Sequence, residues 1–178
     1  MRGYGAFAWY YDELTENVSY QKRADYFLQL IEKFGSSGPI VLDLACGTGS
    51  LSMELAQRGC DVIGVDASED MLSVAQEKAM EHPEWDILYL CQSMTELDLF
   101  GTVDTTICAL DSINHLTDPR QVQQTFQKVS LFTAADCFCL MRIPRISIGK
   151  YWATVVIFMS LTICFALGRI FLRKQPAQ

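Results

Sequence analysis

The sequence predicts an α/β fold with a doubly wound parallel sheet, and three observations carry that expectation. Short apolar runs at Ile40 to Leu44, Asp61 to Val65, Asp86 to Cys91 and Thr105 to Leu110 have the length and composition of strands buried on both faces. Stretches with helical spacing separate the first two pairs, the βα alternation from which right-handed crossovers build such a sheet. The first run also stops abruptly in Cys46-Gly47-Thr48-Gly49-Ser50 before a helix begins.

The elements follow in order. Met1 to Val18 is rich in aromatics, with Tyr4, Phe7, Trp9, Tyr10 and Tyr11, which as packing residues would cover one edge of the sheet. From Tyr20, the stripe Tyr20, Ala24, Phe27, Leu28, Ile31 and Phe34 fits an amphipathic helix with Lys22, Arg23, Asp25 and Gln29 outside it. Gly35-Ser36-Ser37-Gly38-Pro39 ends that helix. Ile40 to Leu44 is β-branched at its start and apolar apart from Asp43, as expected of a buried strand. Ser50 to Arg58 places Leu51, Leu55 and Arg58 at helical spacing. The second strand ends in Asp66, and Glu69 to Met80 is a helix with Met71, Ala75 and Ala79 on one side. A third strand leads into Gln92-Ser93-Met94, and a fourth delivers Asp111, Asn114 and His115 to the loop after it. Asp118 then caps a further helix, with Pro119 at its first position, Gln121 three residues after the cap, and Val122, Phe126 and Val129 facing inward. Cys137 to Met141 can form a fifth strand.

The glycine loop is where chemistry is expected. Gly47 and Gly49 lack a Cβ, so the chain can turn tightly and let a ligand lie against bare amides. Free N–H groups in the first turn of the next helix would point into the same crevice. Asp66, nineteen residues after Gly47, is placed to accept both ribose hydroxyls of an adenosine ligand. A helix cap is the alternative role for Asp66, but Ser68 suits it better, with Glu69 and Asp70 filling the first turn. Two ligands compete. A dinucleotide needs a third glycine where Ser52 stands, and Asp43 makes little sense beside a pyrophosphate. Beside a cationic sulfonium or ammonium, Asp43 makes good sense. Ligands of open parallel sheets bind outside the carboxyl ends of the strands, so Gly47, Asp66, Ser93 and Asp111 should gather on one edge.

Val41 to Ser50, Gly64 to Leu72 and Asp111 to Leu116 resemble the cofactor-binding motifs of class I S-adenosylmethionine-dependent methyltransferases of the bacterial small-molecule type. The resemblance runs from about Tyr10 to about Thr133. It implies a Rossmann-like core at residues 39–141 that binds S-adenosyl-L-methionine, with an N-terminal lid and helix at residues 1–38. Implied cofactor contacts are Asp43, Ala45, Gly47, Gly49, Asp66, Ala67, Met71, Ser93, Met94 and Leu110. Met71, otherwise a core residue, corresponds to a position that packs against adenine. Ser93 stands where the family often carries an acidic residue that reaches the adenine amino group; a hydroxyl can still hydrogen-bond there. Tyr10 or Tyr11 would face cofactor or substrate, where an aromatic face near a sulfonium adds about 0.5 to 2 kcal/mol. Asn114 would line the acceptor side. The implied reaction is in-line transfer of a methyl group to a small-molecule nucleophile. His115 is the first candidate base and Asp111 the second, if the acceptor must lose a proton; the plain alternatives are a loop histidine and a cap.

Composition bounds the partners. With 178 residues, half of them apolar, the chain can bury one substantial core. A net charge of −7 argues against a nucleic-acid backbone as the main partner. The seven cysteines show no paired zinc spacing and only two histidines accompany them, so no metal site is expected. A reducing cytoplasm suits cysteines that fall in apolar strands. The first twenty residues hold Asp12, Glu13 and Glu16 and no long apolar run, so no secretory signal is expected. Nothing in the sequence reads out the oligomeric state.

The tail breaks this pattern. All 21 acidic residues lie between Asp12 and Asp136, whereas the last 42 residues hold six of the 14 Lys and Arg. Arg142-Ile143-Pro144-Arg145 is basic and proline-broken, and Tyr151 to Gly168 is 18 residues without a charge. Residues 142–178 therefore form an atypical segment, and the family's C-terminal strands are expected to be incomplete. Three accounts are open. Tyr151 to Ile170 could anchor the chain in a membrane, although the flanking basic residues balance and would not orient it. The segment could instead be a buried element packed on the sheet. A shift of reading frame near Asp136 could also have replaced the family's C-terminal part. The anchor leads to a methyltransferase with a lipid-soluble acceptor, and the frame shift to a truncated form that binds cofactor with impaired catalysis. A dehydrogenase is the more distant rival.

Overall fold

The computed structural model describes residues 5–15, 17–34, 38–134, 137–141 and 154–158. Two helices, α1 (Gly5–Leu14) and α2 (Tyr20–Phe34), precede the sheet. The alternating part follows as β1 (Ile40–Leu44), α3 (Ser50–Gln57), β2 (Asp61–Asp66), α4 (Glu69–Met80) and β3 (Ile87–Cys91). After it come β4 (Thr105–Cys108), a 3-10 turn at Ser112–His115, α5 (Pro119–Phe132), β5 (Cys137–Met141) and β6 (Thr154–Phe158). The sheet order is β3-β2-β1-β4-β5-β6, parallel through the first five strands, with β6 antiparallel on β5. This is the doubly wound arrangement expected.

Burial follows the alternation of side chains along each strand. On one face Val41, Val62 and Ile107 meet Ala24, Phe27 and Leu55 from α2 and α3. On the other, Leu42, Leu44, Val65 and Cys108 meet Phe126 and Val129 of α5. Asp43 shares the Val41 face by that alternation and is buried there. Asp118 caps α5 as expected, but its side chain accepts the Arg120 N–H at 2.9 Å and pairs with the Arg120 guanidinium at 2.8 Å, a local bond that needs no help from Gln121.

The aromatic N-terminal segment forms a helix, α1. One element differs from expectation. The fourth strand stops at Cys108, because Leu110 and Asp111 adopt left-handed backbone (φ 50° and 64°) that cannot continue a strand. In the tail, Thr154–Phe158 pairs with β5 in the register Cys137 to Phe158 through Met141 to Thr154. Among the described residues no helix is long and apolar enough to cross a membrane. The turn at 35–37, the proposed frame shift at Asp136, the basic stretch 142–150 and the rest of the Tyr151 to Ile170 segment lie outside the described residues.

Candidate functional site

Strand order reverses between β1, whose crossover leads outward to β2, and β4 on its other side. Ligand crevices in open α/β sheets form at such a switch point, beyond the carboxyl ends of the strands. The described backbone outliers that are not glycine all lie at those two strand ends: Ala45 (φ 64°) after β1, Leu110 and Asp111 after β4. A left-handed conformation costs such residues about 1 to 3 kcal/mol each, so the surrounding structure must hold them there. Neither Ala45 nor Leu110 advertises this in the sequence.

The glycine loop and Asp66 meet. Gly47 donates its backbone N–H to Asp66 Oδ2 at 2.9 Å, and Ser68 donates its own to Asp66 Oδ1 at 2.9 Å. The carboxylate is thereby aimed across the mouth of the crevice, with a lone pair on each oxygen still free for a hydroxyl donor. Ser68, not Asp66, caps α4 by accepting the Met71 N–H at 3.4 Å. Ala67 lies exposed between them. Above the loop, the N-cap of α3 is Gly49, which offers no side chain to the first N–H groups of the helix.

The two glycines have different work. No atom lies within 4 Å of where a Cβ on Gly47 would sit, and its φ is +56°, so a ligand can approach that backbone. At Gly49 a Cβ would lie 2.3 Å from the Tyr89 hydroxyl oxygen and 3.0 Å from the Ala75 Cβ. Tyr89, on β3 beside Gly64 in register, lays its ring over Gly64 and ends under the glycine loop. Gly49 is therefore a packing glycine, kept free for Tyr89. Nothing in the sequence marks Tyr89 itself, although a glycine inside a strand, here Gly64, signals close approach of another group.

Asp43 lies beneath the loop, 1% exposed, and accepts the Ser52 hydroxyl at 2.6 Å. Ser52, noted in the sequence only for not being glycine, is the partner that makes an acid tolerable inside a strand. Burial pushes the Asp43 carboxyl up to about 6; the Ser52 bond works against the shift, and the nearby Asp66 charge adds to it. A carboxyl raised from 3.8 to about 6 favours folding below the lower value and loses that advantage as pH rises through the upper one. Asp43→Asn keeps an acceptor for Ser52 without the buried charge. It should therefore be more stable than the parent above about pH 6, by on the order of 3 kcal/mol, with the gap closing toward pH 3.8. Urea unfolding across that range measures it, and a less stable Asp43→Asn at high pH would show that the charge is compensated within the protein.

Helix α1 closes over the same loop. Asp12 Oδ1 accepts the Thr48 hydroxyl at 2.7 Å and the Ser50 hydroxyl at 2.9 Å, and Oδ2 receives Lys78 Nζ at 2.8 Å. Burial alone would raise the Asp12 carboxyl, but Lys78, Thr48 and Ser50 together hold it below its ordinary value. Next to this knot Ala8 and Tyr11 pack on Met71 and Val74. Met71 is thus a core residue beneath α1. Tyr11 is half-buried, whereas Tyr10 is 60% exposed on the outer side of the helix.

The remaining loops close the edge. Gln92 donates its N–H to the Asp66 carbonyl at 2.9 Å, which ties the end of β3 to that of β2. Ser93 is half-buried and turns its hydroxyl to Thr95 Oγ1 at 2.8 Å, while Met94 packs into the core near Leu97 and Leu44. After β4, Asn114 Nδ2 donates to Asp111 Oδ1 at 2.6 Å, and His115 is exposed at the end of the 3-10 turn. Gly47, Asp66, Ser93 and Asp111 therefore stand at or just after the carboxyl ends of β1, β2, β3 and β4, on one edge, whereas Tyr10, Tyr11 and Met71 belong to helices.

The profile of a methyltransferase domain matches residues 41–134. A Geobacillus sp. (strain WCH70) protein provisionally named a methyltransferase is 38% identical over 127 residues, 71% of this chain and 51% of its own. The similarly named YqeM of Bacillus subtilis (strain 168) is 40% identical over 127 residues, covering 71% of this chain and 49% of that protein. Among solved structures, an S-adenosylmethionine-dependent methyltransferase from Clostridium acetobutylicum ATCC 824 superposes with a TM-score of 0.68 at 29% identity, over 78% of this chain and 57% of the other. This chain spans about half the length of the two sequence relatives.

Proposed function

Because the chain belongs to the class I S-adenosylmethionine-dependent methyltransferases, we propose that it binds S-adenosyl-L-methionine at the loop after β1 and transfers the methyl group to a small-molecule acceptor. The observation that carries this reading is the Asp66 carboxylate held 2.9 Å from the Gly47 N–H at the sheet's switch point. The residues fit the cofactor: the space over Gly47 is open, Asp66 keeps acceptor capacity for ribose hydroxyls, and Asp43 supplies negative charge below the loop.

When bound, the sulfonium supplies an already activated methyl group. What remains for the chain is to align an acceptor lone pair with the methyl–sulfur bond and exclude water, a contribution on the order of 7 to 11 kcal/mol. In this reading Gly47 and Asp66 hold the adenosine, with Ala45, Gly49, Ala67, Met71, Ser93, Met94 and Leu110 shaping its surroundings. Of the two tyrosines, Tyr11 rather than the outward Tyr10 is the one placed to border the acceptor side, with Asn114. His115, or as second choice Asp111, takes a proton where the acceptor carries one, worth roughly 10² to 10⁴-fold. Residues 1–38 are the lid, 39–141 the cofactor core and 142–178 an atypical tail. The five described free cysteines suit a cytoplasmic setting.

Calorimetric titration of the full chain with S-adenosylhomocysteine tests this reading. One site that prefers S-adenosylhomocysteine to NAD is expected; no binding, or a preference for NAD, overturns it. Binding without methyl release to any small-molecule acceptor would favour the cofactor-binding form with impaired catalysis.

A further inference from the structure

Helix α1 is attached by less than its composition suggests. It is largely apolar, yet among its described side chains only Ala8 is fully buried, with Tyr11 half-buried beside it. Phe7, Trp9, Tyr10 and Leu14 are all exposed. A helix of ten residues is not stable by itself in water, so its docking depends on tertiary contacts, that small cluster and Asp12 among them. Asp12 in turn joins three elements distant in sequence: Thr48 in the glycine loop, Ser50 at the first turn of α3, and Lys78 in the last turn of α4. Lys78 Nζ also donates to Ser50 Oγ at 2.8 Å, so the four side chains form one closed knot. Thr48, at 1% exposure, lies at its base, between the two glycines.

We propose that Asp12 is a positioning residue, the latch by which α1 is held on the glycine loop, so that breaking the Asp12–Thr48–Ser50–Lys78 knot frees α1 and speeds exchange of the nucleoside ligand. The ligand part of this inference rests on the function proposed above; the attachment of α1 does not. Asp12 offers four lone-pair sites to three donors, and the Thr48 and Ser50 hydroxyls flank Gly49, so the loop's shape and the helix's docking depend on the same bonds. Asp12→Asn removes the charge that holds Lys78 and turns an amide nitrogen toward a donor. Lys78→Met removes the cation from the other side and leaves Asp12 in place.

Amide hydrogen exchange on the ligand-free full chain is the first measurement. Exchange across residues 5–14 is expected to rise about tenfold in both variants, with β1 and β2 unchanged, since local opening tracks the bonds lost. Lys78→Arg, which keeps the charge, should stay near the parent. The second measurement is release of S-adenosylhomocysteine after rapid dilution, expected to be faster by a similar factor, with KM for the methyl donor raised and kcat little changed. Unchanged exchange in both variants overturns the latch. Faster exchange with unchanged release overturns its role in ligand exchange. If the parent binds no S-adenosylhomocysteine, the proposed function fails, and the exchange data alone still decide whether Asp12 holds α1.

Discussion

Asp66→Ala is expected to weaken S-adenosylhomocysteine binding about a hundredfold or more while leaving the chain folded, because bonds to a charged acceptor contribute about 1.5 to 3 kcal/mol each. The substitution removes the acceptor for the ribose and also releases the Gly47 and Ser68 N–H groups that Asp66 now receives at 2.9 Å each. Both residues are only partly buried, so water can take those N–H groups and the sheet loses little. Asp66→Asn is a sharper probe than its shape suggests. Its single amide oxygen can serve one of the two N–H groups, and its NH₂ then faces the other, donor against donor. Asn should therefore behave more like Ala than like Asp. Calorimetry with a parallel circular-dichroism melt separates loss of binding from loss of fold, and a dissociation constant within threefold of the parent would remove Asp66 from the site.

Gly64→Ala is expected to destabilise the protein by about 3 kcal/mol, the upper part of the ordinary range for overpacking. Replacing a strand glycine whose backbone is ordinary would normally stabilise by about 0.4 to 1 kcal/mol, because the unfolded chain loses freedom. Here the sign should reverse. A Cβ on Gly64 would stand 2.6 Å from two carbons of the Tyr89 ring and 3.1 Å from Cys46 Sγ. Gly64 pairs with Asp43 on one side and Tyr89 on the other, so the backbone cannot move aside. The Gly64→Ala and Tyr89→Ala double-mutant cycle should show a favourable coupling of about 1 kcal/mol or more, since the alanine methyl then occupies space the ring has left. Additive effects would mean that the ring does not depend on the glycine. Because Tyr89 also ends under Gly49, Tyr89→Ala should loosen the glycine loop as well.

The places where sequence and structure agree share one property: each signal acts over a few residues. Ile40–Leu44 and Glu69–Met80 form as read, because an apolar run and a Ser68 cap specify their own element. The Gly47 and Asp66 pair was readable because the βαβ unit between them has a nearly constant length, which carries a short-range pattern across nineteen residues. β4 ends before Leu110, which reads as strand in isolation, because Leu110 and Asp111 take a left-handed backbone that no local pattern announces. The tail shows the same limit. Its composition marked it as different, yet the pairing of Thr154–Phe158 with β5 depends on a partner strand that composition cannot name.

By itself, then, the sequence determined the βα alternation, the crevice edge and the carboxylate that faces the glycine turn, because hydrophobic period, capping and crossover length are local properties of the chain. Tertiary structure alone decided that Gly47 is open while Gly49 and Gly64 make room for Tyr89, and that Ser52 shelters Asp43. It also decided that Asp12 closes α1 on Thr48, Ser50 and Lys78, at separations of 36, 38 and 66 residues. Side chains that far apart carry no periodicity that links them. Only the sheet, by fixing where each element ends, brings them within hydrogen-bonding distance.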